Sequence, residues 1–144
     1  MYAIRRLVHD WPLACFLPLA FALSWYPWLI ALAQGRGSGP NPLGPFAAAL
    51  LVLAIGSGWP AVKALFRAMA RARVGARWYA LALGLPAAVV VMVVVANAAL
   101  GAPWPRTDQL AHWPGMLDTF LIALLFVALG EEPGWRGFLL PRLQ

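Results

Sequence analysis

The stretch "DTFLIALLFVALGEEPGWRGFLLPR", residues 118–142, decides how this chain folds, because it puts two adjacent carboxylates into an apolar segment. Only 12 residues separate Asp118 from Glu131. As helix, this spacing covers about 20 Å at ~1.5 Å per residue, against about 30 Å of bilayer hydrocarbon. A helix that continues to Arg142 covers about 36 Å and is long enough to cross. We therefore predict that Glu131 and Glu132 lie within a membrane, in its cytoplasmic half.

The composition is that of a membrane protein rather than of a soluble domain. The 144 residues are 62% hydrophobic and 11% charged, and their mean hydropathy is +0.74. Apolar runs at about residues 11–34, 43–62, 78–100 and 116–142 predict four transmembrane helices. The predicted fold class is all-α, a polytopic transmembrane helical bundle in which residues 1–144 belong to a single membrane domain.

The first apolar run also has an interpretation as a cleaved signal peptide, because Arg5 and Arg6 precede it and "ALA" lies near its end. Between Asp10 and Arg36, however, it holds 25 uncharged residues. The core of a signal peptide has about 7–15 residues, so the length favours a membrane span.

The basic residues predict the orientation of the spans. The formal net charge is +6, but the 11 basic residues lie between apolar runs, as topology determinants do. This placement argues against nucleic acid as a partner. With the N-terminus in the cytoplasm, nine basic residues lie inside, and only Arg36 and Arg106 lie outside.

A basic segment follows the second apolar run and has two interpretations. Lys63, Arg67 and Arg71 recur at every fourth position, on one stripe of a helix roughly opposite Leu65 and Met69. The stripe is typical of a surface helix that engages anionic lipid headgroups. The simpler interpretation, a basic cytoplasmic connector, fits the positive-inside pattern.

Carboxylates within a membrane need a partner, because an isolated charge there costs about 2.5–3.5 kcal/mol. Arg136 follows Glu132 by four residues, on the same helix face and in the favoured acid-first order. Glu131 is rotated by about 100° and is predicted to face a cavity. Pro133 lies between two glycines and predicts a local distortion of the helix. The alternative is a span that ends at Gly130, with "EEPGWRG" as a loop in a locally thinner bilayer.

The spacing Glu131-Glu132-x-x-x-Arg136, followed by "GFLLPRLQ", resembles the first signature of the CPBP family. This family comprises the CAAX prenyl proteases of type II and the Abi proteins of bacteriocin processing and self-immunity. The segments "FALSWYPWLIAL", "PLGPFAAALLVLAIGSG" and "RVGARWYALALGLPAAVV" resemble the N-terminal half of bacterial members in order and spacing. The resemblance implies a multi-pass intramembrane metalloendopeptidase of a bacterial inner or plasma membrane, acting on a peptide or protein substrate at the membrane.

The resemblance also implies roles for three residues. Glu131 would activate the attacking water as general base, while Glu132 and Arg136 would form the supporting pair. A divalent metal, zinc, is implied by the resemblance only, and its ligands are not identified in this sequence. A carboxylate in a low dielectric has a raised proton affinity, which suits it to take a proton from water.

The later motifs of the family, Phe-x-x-x-His and His-x-x-x-Asn/Asp, are absent from the sequence. We therefore expect the chain to be the N-terminal portion of such a protein and to be inactive alone. His9 and His112 are predicted to lie on opposite sides of the membrane, as interfacial side chains rather than metal ligands. Cys15 is the only cysteine, which excludes a disulfide within the chain.

Two other functions are compatible with the same features. One is a non-catalytic membrane protein on this scaffold, with a role in self-immunity or in binding a partner. The other is a small transporter subunit, because ionisable residues inside a membrane are also typical of transport pathways.

Overall fold

The computed structural model describes residues 2–37, 39–71, 73, 75–106, 108, 111 and 113–144, and these residues form helices and no strands. The prediction of an all-α chain is therefore confirmed for this part of the sequence. The helices are α1 (Tyr2–Asp10), α2 (Pro12–Ala33), α3 (Gly44–Gly56), α4 (Trp59–Met69), α5 (Ala76–Ala99) and α6 (residues 113–143).

Among the described residues, three helices are long and apolar enough to cross a membrane: α2 with 22 residues, α5 with 24, and Pro114–Leu143, which is nearly all of α6, with 30. The helix α5 buries none of its side chains within the chain. Leu83 and Met92, for example, are 76% and 68% exposed. A helix that is apolar on all sides is stable only where lipid or other apolar groups surround it.

The segment predicted as the second span is divided into two helices. The helix α3 ends at Gly56 after 13 residues and covers about 20 Å, which is shorter than a bilayer core. Gly58 has φ +78°, a backbone conformation that residues other than glycine rarely adopt. Pro60 stands in the first turn of α4, where its missing N–H costs no hydrogen bond. These two residues end one helix and start the next.

The helix α4 is amphipathic, but its basic stripe is shorter than predicted. Val62 and Leu65 are buried, whereas Lys63 and Arg67 are exposed. Arg71 lies beyond the end of the helix at Met69 and is not part of the stripe.

The helix α6 is continuous but not uniformly α-helical. It contains α segments at Trp113–Ile122, Leu129–Glu132 and Leu140–Leu143, and π segments at Ala123–Ala128 and Pro133–Leu139. The wider hydrogen-bond spacing is visible where the N–H of Leu140 donates to the carbonyl of Trp135, five residues earlier.

The chain forms two compact units. One comprises Met1–Ala70 and Phe120–Gln144, and the other comprises Arg71–Thr119. The first unit holds the apolar core, to which α1, α2, α3, α4 and α6 contribute. Its two largest fully buried side chains are Phe16 and Phe138, whose rings stack at a centroid distance of 4.7 Å.

Within the first unit, α3 begins near the middle of α2. The backbone N–H of Asn41 donates to the carbonyl of Ser24 at 2.8 Å. A Cβ atom at Gly44 would overlap Ser24 Oγ, so the two helices touch there. Ser24 is about 18 Å from the start of α2 and about 14 Å from its end, at ~1.5 Å per residue. The connection after α2 therefore folds back along that helix before α3 begins.

Candidate functional site

Two glycines allow α6 to pack closely against the start of α3. A Cβ atom at Gly130 would lie 2.6 Å from the carbonyl oxygen of Pro42, and one at Gly134 would lie 2.5 Å from that of Pro45. Side chains at these positions would overlap the backbone just before α3 and in its first turn. The spacing Gly-x-x-x-Gly allows two helices to approach closely, as it does between membrane helices.

This contact sets the level of the two carboxylates. Glu131 and Glu132 directly follow Gly130, which lies against Pro42 at the N-terminal end of α3. Because that end of α3 lies beside Ser24, the glutamates are level with the middle of α2. Their depth in a membrane stays a prediction.

Glu132 and Arg136 form the predicted ion pair. Arg136 Nε lies 2.8 Å from Glu132 Oε2, and the two residues are one turn apart on α6. Neither side chain is buried by the chain itself, since Arg136 is 75% and Glu132 48% exposed. The pair therefore lies on a side of α6 that the described residues leave uncovered, and the attraction of opposite charges one turn apart holds it together.

The predicted distortion of α6 is confirmed at Pro133. The second π segment starts at this residue and ends at Leu139. Proline has no N–H to donate and its ring crowds the preceding turn, which favours a locally wider helix. The segment carries Arg136, so the distorted turn presents the guanidinium to Glu132.

A groove of about 360 Å³ runs between α4 and α6 beside this ion pair. Glu132 and Arg136 line it on the α6 side, and its other walls are apolar. Glu131, which was predicted to face a cavity, does not line this groove. The lining residues are Leu65, Ala68, Met69, Leu129, Glu132, Pro133, Arg136 and Gly137.

Glu131 has a different environment from Glu132. It is partly buried, and the described residues offer it no hydrogen bond or ion pair. A rotation of about 100° per residue turns it from the α4 side of α6 towards α2. On that side, Trp135 packs edge-on against Phe16 with ring centroids 5.5 Å apart. The N-terminal end of α3 lies beside Gly130, and the positive end of its helix dipole favours a carboxylate in this position.

The described residues contain no group of three His, Cys, Asp or Glu side chains that could hold a metal ion. His9 lies against Gly56, at the C-terminal end of α3, while the glutamates lie at its N-terminal end. The length of α3, about 20 Å, separates them, so His9 does not share an ion with Glu131. His112, the other predicted interfacial histidine, lies outside the described residues.

The sequence did not predict that the turn carrying the glutamates packs against the start of α3. Asn41 accepts a hydrogen bond from the N–H of Leu43 through Oδ1, at 3.1 Å, and this turn starts α3 beside α6. The signal for the contact is the spacing of Gly130 and Gly134, the two glycines that flank Pro133 where the sequence predicts only a helix distortion. Pairing it with Pro42 and Pro45 needed the tertiary structure.

The structure thus brings Glu132 and Arg136 together, and it places Glu131 on the neighbouring face of the same turn. One carboxylate is held by a guanidinium, whereas the other is unpaired among the described residues. No family model, curated protein or solved structure was found to match the chain.

Proposed function

We propose that the chain belongs to a multi-pass membrane protein and supplies the first part of the active site of a CPBP-type intramembrane endopeptidase. The observation that carries the proposal is the Glu131-Glu132-x-x-x-Arg136 signature on a distorted turn of a membrane-length helix. Its arginine pairs with the second glutamate and leaves the first one unpaired among the described residues.

The chemistry assigns different roles to the two carboxylates. Glu131, partly buried and next to the start of α3, takes a proton from water as the water attacks the peptide carbonyl, and then passes it to the leaving amine. Glu132 pairs with Arg136 at 2.8 Å, and this ion pair fixes the turn that carries Glu131. Arg136 is therefore a positioning residue.

Zinc, the metal that the family resemblance implies, does not fit the described residues by themselves. A hydrolytic zinc site normally has three protein ligands, and Glu131 and Glu132 have no third candidate near them among these residues. The proposal for this chain therefore concerns only the carboxylates and the guanidinium.

The proposed topology is four passes with a cytoplasmic N-terminus. The C-terminal end of α3 contacts α1 at Val8, and α4 follows within the same unit. Arg5, Arg6, Lys63 and Arg67 therefore belong to the elements at this end of the first unit. The positive-inside rule assigns it to the cytoplasm. In this arrangement α3 makes the second pass although it is only 13 residues long. The bilayer is therefore thinner beside α3, or α3 crosses only part of it as a re-entrant helix.

The test is a cleavage assay on the longest reading frame that contains this chain, expressed in bacterial membranes with a membrane-anchored peptide reporter. We expect Glu131→Gln to reduce cleavage by at least about 100-fold, as loss of a general base does. Asp118→Asn is the matched control, since it neutralises a carboxylate on the same helix and should keep wild-type activity.

Wild-type cleavage by Glu131→Gln would refute the role of Glu131 as base. The wild-type protein and Glu131→Gln must be compared at equal levels of membrane-inserted protein, because a misfolded variant would also lose activity. Absence of cleavage from the wild-type protein with all reporters would favour the non-catalytic role on the same scaffold.

A further inference from the structure

The first helix has an apolar side that the chain leaves uncovered. Ile4, Leu7 and Trp11 lie on one face of α1 and its end, and they are 59%, 57% and 66% exposed. Val8, beside this face, is buried against α3, where a Cβ atom at Gly56 would lie 3.2 Å from Val8 Cγ1. One residue thus anchors α1 while three large apolar side chains remain free.

The opposite side of α1 is basic and borders a groove. Tyr2, Arg5, Arg6 and His9 line this groove of about 500 Å³ together with Gly56. Asp10 is the only acid near it on α1, and it contacts Arg6 Nε at 3.7 Å and His9 Nδ1 at 3.2 Å. No ion pair of Arg5 is found in the described part of the chain.

The helix α4, which follows Gly56 within the same unit, adds positive charge beyond the C-terminal end of α3. Neither α3 nor α4 contains an acidic residue, whereas α4 carries Lys63 and Arg67 on its exposed face. Asp10 is therefore the only acid among α1, α3 and α4, against four basic residues. An anionic partner is favoured at this end of the unit.

The position of α1 identifies the partner. One residue separates its last residue, Asp10, from Pro12, the first residue of the membrane-length helix α2. The residue between them, Trp11, has a non-helical backbone with φ −128° and ψ 56°, so α1 turns away from the axis of α2. A helix at the end of a membrane span, apolar on one side and basic on the other, has the composition of an interfacial helix.

We propose that α1 lies along the membrane surface and that the groove beside Gly56 binds the headgroup phosphate of an anionic phospholipid. Arg5 and Arg6 provide the charge, and Tyr2 and His9 provide hydrogen-bonding groups. The apolar side chains of Ile4, Leu7 and Trp11 insert into the adjoining acyl layer. A free phosphate ion would leave these three side chains uncovered. The inference rests on the proposed membrane placement of α2 and does not depend on proteolytic activity.

Spin labelling of the full chain tests the position of α1 at the membrane surface separately from the position of α2 within the membrane. In a Cys15→Ser background, Leu7→Cys reports on α1 and Leu17→Cys reports on α2, each in bilayers of phosphatidylcholine with or without phosphatidylglycerol. We expect the Leu17→Cys label to be accessible to oxygen and shielded from a water-soluble relaxant, and the Leu7→Cys label to lie at the headgroup boundary. A shielded Leu17→Cys label with a water-exposed Leu7→Cys label would overturn the inference alone. Water exposure of both labels would overturn the membrane placement as well.

Lipid selectivity tests the groove itself. We expect Arg5→Gln and Arg6→Gln each to reduce the retention of phosphatidylglycerol over phosphatidylcholine by about fivefold, measured by native mass spectrometry. Arg36→Gln is the matched control, because it removes the same charge beyond the other end of α2, where Arg36 bonds to Gln34. Equal losses in all three variants, or displacement of the lipid by inorganic phosphate, would overturn the site.

Discussion

Replacing Gly134 by alanine tests the contact that places the glutamates. The new Cβ atom would lie 2.5 Å from the carbonyl carbon and oxygen of Pro45, whereas ordinary contact begins at 3.4 Å. The two helices must separate by the difference, 3.4 − 2.5 = 0.9 Å, because both atoms belong to the backbone and no side chain is free to rotate away. Overpacking of this kind costs about 1–3 kcal/mol of unfolding free energy.

The control for this prediction is Gly84→Ala. Gly84 also lies within a helix, α5, but a Cβ atom there has no neighbour within 4 Å. Both substitutions gain the same helix propensity, about 1 kcal/mol, so that their difference isolates the steric cost. Gly137→Ala should fall between them, because the atom it meets at 2.7 Å is Cδ1 of Leu65, the end of a side chain rather than backbone.

The assay is thermal unfolding of the purified chain in detergent, followed by the fluorescence of its eight tryptophans. We expect the stabilities to decrease in the order Gly84→Ala, Gly137→Ala, Gly134→Ala. If Gly134→Ala unfolds at the same temperature as Gly84→Ala, the close approach of α6 to α3 is wrong, and with it the level assigned to Glu131 and Glu132.

Three further tests concern other parts of the first unit. Phe138→Ala should cost about 3–5 kcal/mol, because the ring is fully buried, whereas Phe120→Ala, at an exposed ring, should have little effect in the same melts. Glu132→Gln and Arg136→Gln should each destabilise, and the double variant should lose less than their sum by at least about 0.3 kcal/mol. Strict additivity would show that their contact contributes nothing. Gly58→Ala should cost about 1–3 kcal/mol because of the φ of +78°, and an unchanged melting temperature would contradict that conformation.

The features that could be predicted from the sequence are those that depend only on residues close together in one helix. The apolar runs predict the helices α2, α5 and α6, since helix length and hydropathy are properties of a single segment. The pair of Glu132 and Arg136 follows from a separation of four residues, and the distortion at Pro133 follows from the missing N–H. The break of the second span at Gly58 was also local, although the hydropathy of the run concealed it.

Only the tertiary structure decided what the carboxylates face. Gly130 and Gly134 could equally have met lipid or another helix, and their contact with Pro42 and Pro45 depends on how the chain returns along α2 before α3 begins. The same packing assigns Glu132 to the α4 groove and leaves Glu131 outside it. Helical periodicity determines which residues share a face, but the path of the connecting segments determines which faces meet, and that path is set by contacts between residues far apart in the sequence.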